Sequence, residues 1–147
     1  MHETSGIEAR LRQAATLPDV LAASFDAFEV IRLLACGNED RVPGLFAAFM
    51  TAADAAVDGR EAVTAAPSLP PGGGDGIGTG PQLAMDVGVG EIADAMVALA
   101  VLLGERLGYA AALSSRPSDQ AACAEAVAAA GCICQLMARG HDDTRLR

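Results

Sequence analysis

Apolar residues recur along this chain at three- and four-residue spacings, and no stretch alternates long enough to read as a strand. Ser5, Gly6, Ile7 and Glu8 have capping-box spacing, and Ile7 and Leu11 stand one turn apart, which predicts a short opening helix. A second helix is predicted from Pro18, a residue suited to the first helical position, with Asp19 near the positive end of the dipole. Leu17, Leu21, Ser24, Phe28, Ile31 and Ala35 follow one stripe, with Asp19, Asp26 and Glu29 expected on the other side and Gly37 as the stop. A third helix is predicted over roughly 43–66, its buried stripe being Phe46, Phe49, Ala53, Ala56 and Val57. The connection before it is short, so these two helices should pack as an antiparallel hairpin.

Residues 67–81, rich in Pro and Gly, break the pattern and suit neither a helix nor a regular strand. Extended, such a segment reaches about 45–50 Å, more than the roughly 35 Å of a 23-residue helix. It is therefore expected to be a flexible linker able to cross a bundle or to let its halves exchange between copies. The fourth helix should start near Leu83 or Val89 and end at Leu113, with Ile92, Met96, Leu99, Leu103 and Ala110 on one stripe. Val97, Val101 and Leu102 make its opposite side apolar too, and a helix apolar all round is buried all round. These three residues are accordingly the expected interface with a second copy or another helical protein. A turn over 114–118 leads into a last helix over 119–139, built almost wholly of small residues; Gly140 should end it, leaving 141–147 as a frayed tail. The predicted fold is a single all-α domain over 1–147. It is a four-helix bundle of two antiparallel helical hairpins joined by the Gly/Pro-rich linker, with a short extra N-terminal helix.

Composition narrows the partners. The chain is 52% hydrophobic but 3% aromatic, so its core must come from Ala, Val, Leu, Ile and Met. All ten basic residues are Arg, a bias that reads as a GC-rich genome, and the net charge is -9. Such a surface repels nucleic acid and anionic lipid. The opening residues lack the apolar core of a secretory signal, and the most apolar run, 95–104, is half of a bilayer span. A cytoplasmic protein, with no membrane partner and with its four cysteines reduced, is the expectation.

The candidate chemistry is sparse. Cys132 and Cys134 resemble a chelating pair, but residues two apart on a helix point about 200° from each other. Cys123 and Cys134 share a face about 16 Å apart along the axis, too far to hold one ion. Buried structural thiols are the expectation for the cysteines, with Cys132 the most exposed. Asp54, Asp58 and Glu61 share one helical face; without a Glu-x-x-His partner they read as solvated. His2 and His141 are both terminal, so Ser114, Ser115 and the cysteines lack the usual base, and no catalytic residue, metal or cofactor is expected. Gly88, Gly90 and Ala93 match G-x-G-x-x-A formally, without the strand that motif requires. The polar handles that remain are Arg32, Arg106 and Tyr109. With Phe28, Phe49 and Met96 they are the candidate lining of an apolar pocket between helices.

The segments Leu-Pro-Asp-Val-Leu-Ala-Ala-Ser-Phe-Asp-Ala-Phe-Glu-Val-Ile at 17–31 and Ala-Leu-Ala-Val-Leu-Leu-Gly-Glu-Arg-Leu at 98–107 resemble small, uncharacterised all-helical proteins of actinobacteria. The resemblance spans most of the chain, implies no activity and transfers no site residues. The sequence thus favours a non-enzymatic helical interaction module, homodimeric, with a small apolar ligand or a cofactor-free enzyme as the alternative.

Overall fold

The computed structural model describes residues 2–71 and 88–145, with side chains over 4–71 and 88–139. Among these residues it is all-α: helices α1 (His2–Gln13), α2 (Leu17–Asn38), α3 (Phe46–Thr64), α4 (Val89–Leu113) and α5 (Pro117–Arg145), with a 3-10 turn at Pro43–Leu45 and no strand. α2 packs on α3 and α4, α5 packs on the same two helices, and α1 lies across α2 and α4.

Local chemistry sets several of the boundaries. Thr16 caps α2, its hydroxyl accepting the Asp19 amide at 3.3 Å, while Pro18 sits in the first turn where a missing N–H is harmless. Gly37 does not end α2. The helix runs on to Asn38, whose buried side-chain amide donates to the Leu34 carbonyl at 2.7 Å and whose Oδ1 accepts from Arg41 at 2.9 Å. That amide satisfies a carbonyl a glycine would have left bare. α1 begins at His2, so Ser5 lies inside the helix and the capping box does not form its start. Thr4, ahead of the box, is itself buried at 4% exposed, which holds that turn against the fold. α5 likewise passes Gly140, because a glycine inside a helix costs only about 1 kcal/mol relative to alanine.

One apolar cluster joins all five helices. Of the stripes expected to be buried, Ile92, Met96, Leu99, Leu103 and Ala110 are, as are Phe49, Ala53 and Ala56. Phe46 is 38% exposed and Val57 half-buried, because α3 turns Ala52, Ala55, Gly59, Ala62 and Val63 inward instead. Gly59 permits the closest approach: a methyl group there would overlap the ring of Phe28 on α2. The first residues of the expected linker are held, since Leu69 packs against the core and Ser68 is bonded to α5. Residues 72–81 of that linker, and the alternative start of α4 at Leu83, lie outside the described residues, as do the last two residues of the tail.

Candidate functional site

The residues expected around a pocket occupy three settings. Phe28, Phe49 and Met96 are within the core, each no more than 1% exposed. Arg32 donates to Glu29 one turn earlier, and the other oxygen of that carboxylate takes Arg60 of α3 at 2.7 Å. The bond to Glu29 raises the pKa of Arg32, while partial burial works against it. Arg106 lies elsewhere, its guanidinium 4.6 Å from the ring centroid of Tyr109 and donating to the Ala14 carbonyl at the end of α1. Arg106 and Tyr109 thus meet as the sequence suggests, whereas Arg32 serves the α2–α3 contact.

Two carboxylates that pattern reading overlooked organise the polar interior. Asp26, expected on the outer side of α2, is 3% exposed and takes Arg10 of α1 at 2.6 Å. The available signal was its position between apolar neighbours, with Arg10 adjoining the Ile7–Leu11 face of a separate helix. Asp119, fully buried in the first turn of α5, accepts the Ser68 amide at 3.0 Å and the Ser68 hydroxyl at 2.6 Å. This carboxylate stabilises a helix start and fastens the exit of α3 to it. Among the described residues, two buried polar atoms, Ser24 Oγ and Arg106 Nε, have no hydrogen-bond partner. The neighbouring turn is bonded internally: Ser114 Oγ accepts the Arg116 amide at 3.1 Å, and Gln120 donates to the Ser114 carbonyl at 2.8 Å.

The cysteines divide by exposure. Cys36 and Cys132 are exposed, Cys134 is half-buried with its thiol 4.0 Å from the Val97 carbonyl, and Cys123 is buried. Burial raises the Cys123 pKa, reinforced by nearby Asp119, and burial also raises that of Cys134; both are held as neutral thiols, the unreactive form. Asp54, Asp58 and Glu61 are all exposed, as a solvated acidic face requires. Gly88 of the G-x-G-x-x-A match is the N-cap of α4.

The expected interface residues separate as well. Leu102 is 8% exposed and belongs to the core, Val97 is half-buried, and Val101 is 47% exposed. Tyr109 and Leu113 continue the exposed apolar positions of α4. On α5 the exposed residues between Gln120 and Ala138 are Gln120, Ala121, Ala124, Glu125, Ala128, Gly131, Cys132, Gln135 and Ala138, a face with a single charge. By length and composition, Val89–Leu113 and Pro117–Arg139 would each suffice to cross a membrane. Compared with family models, curated proteins and solved structures, the chain matches none.

Proposed function

We propose that this chain is a non-enzymatic helical interaction module that acts as a cytoplasmic homodimer. In this reading it is a four-helix bundle in which α2–α3 and α4–α5 are antiparallel hairpins and α1 is an addition. The packing pairs support that arrangement, since they close a ring from α2 to α3, α5, α4 and back. Its second copy covers the outer side of α4 and α5. The observation that carries this reading is the contrast in surface charge. In a chain of net charge -9, the exposed α5 residues from Gln120 to Ala138 include one charge, Glu125, while Val101, Tyr109 and Leu113 stand uncovered on α4. Like-charged copies repel unless they meet where charge is absent, and exposed apolar side chains mark such places.

Water rather than lipid around the α4–α5 pair is supported by Glu91, Asp94 and Glu105, all exposed on α4, because carboxylates facing hydrocarbon are expensive. The alternative, an apolar ligand beside Arg106 and Tyr109, draws support from the unpartnered Arg106 Nε. Sedimentation equilibrium at micromolar concentration tests the dimer. The expected result is twice the chain mass, reduced to a monomer by Val101→Glu combined with Ala128→Glu. A wild-type monomer would reject the dimer.

A further inference from the structure

The weakest attachment in the fold is that of α1, and the way it is attached has the form of recognition. Its buried positions, Thr4, Ile7 and Leu11, continued by Ala14 just past its end, form one face of a twelve-residue helix laid in the groove between α2 and α4. A helix this short is marginal on its own, so the groove is what holds it helical. Polar contacts hold its register, among them Arg10, which brings a cation to buried Asp26, and Arg106, which takes the Ala14 carbonyl just past the end of the helix. Both are contacts that a docked helix needs, a charge match along its length and a donor at its C-terminus. Removing α1 would leave α2 with its own N-cap, because Thr16 bonds Asp19 independently of α1. Of the three residues between them, Ala15 and Thr16 are exposed. α1 can therefore leave without unravelling the helix it precedes.

We propose that α1 is a detachable strap and that the α2–α4 groove takes the α1 of a second copy in its place. The occupant is set by charge complementarity and by fit: the groove buries a carboxylate that an incoming arginine must match, and α1 is a helix with that arginine in register. The groove is built by α2 and α4 and meets the outer α4–α5 face only where Arg106 stacks on Tyr109, and the inference does not rest on the homodimer proposed above.

A labelled peptide of residues 2–15 titrated into the full-length chain tests this directly. It should bind the Arg10→Ala chain about tenfold more tightly than wild type. Weakening the internal strap raises the fraction of open groove, and apparent affinity rises with that fraction. The same peptide carrying Arg10→Ala should lose binding to both chains. Absence of binding to either chain, or binding indifferent to Arg10 in the peptide, would overturn the proposal. Hydrogen exchange on the unmodified chain supplies an independent reading. The α1 amides should exchange at least about a hundredfold faster than those in the middle of α2, through local opening. Equal protection of the two helices would overturn it as well. Val101→Glu combined with Ala128→Glu separates the two readings: a wild-type dimer that this pair leaves intact rejects only the α4–α5 face, and a chain that refuses the peptide rejects only the exchange.

Discussion

α2 and α4 each touch three other helices, yet they solve burial in opposite ways. Twelve of the 22 residues of α2 are buried, against nine of the 25 in α4, although α4 is the more apolar of the two. α2 is covered on sides that carry Asp26, Glu29 and Asn38, because α1, α3 and the following turn bring a partner to each. α4 leaves Val101, Tyr109 and Leu113 exposed, because none of its described neighbours reaches that side. Burial is thus assigned by which neighbours arrive and what they carry, and hydrophobicity alone ranks these two helices wrongly.

The sharpest way to break this comparison is truncation on each helix. Phe28→Ala should cost about 3–5 kcal/mol, since the ring is fully buried against Gly59, whereas Val101→Ala should change monomer stability by no more than about 0.5 kcal/mol. Urea midpoints of the two variants decide it, and similar losses would mean that α4 is covered as thoroughly as α2. Next in size is the polar cover of α2. Glu29→Gln weakens the pairing with both Arg32 and Arg60, and because all three side chains are partly exposed the loss should be about 0.5–1 kcal/mol.

The smallest effect concerns the thiols that α5 turns toward its neighbours. With the Cys123 pKa raised in the folded state, the native protein keeps a proton that the unfolded chain gives up above the ordinary thiol value of 9.0. Stability should therefore be complete below that value and decline as pH rises past it, a decline that Cys123→Ala should lessen. Alkylation at about pH 8 should mark Cys36 and Cys132 well before Cys123 and Cys134, read by mass spectrometry of the peptides.

Helix content, the core stripe of α4, the exposed acids of α3 and the exposure of Cys132 were legible from local spacing, since 3.6-residue periodicity is a property of the chain itself. The same spacing misled for Phe46, because one face of an alanine-rich helix resembles another and the inward turn of α3 is chosen by Gly59 meeting Phe28. It also missed Asp26 and Asp119. Each is buried by a partner distant in sequence, 16 residues away at Arg10 and 51 away at Ser68.

By itself, then, the sequence determined which segments become helices, that Pro18 stands in the first turn of one of them, and that the core would be largely aliphatic. Each of these follows from a residue and its near neighbours. Only the tertiary structure decided that α2 rather than α4 is the more enclosed helix, that two carboxylates belong to the interior, and that α1 fills the groove between α2 and α4. The reason is physical: a buried charge is tolerated only where folding delivers its counterpart, and that delivery is a property of packing rather than of the order of residues.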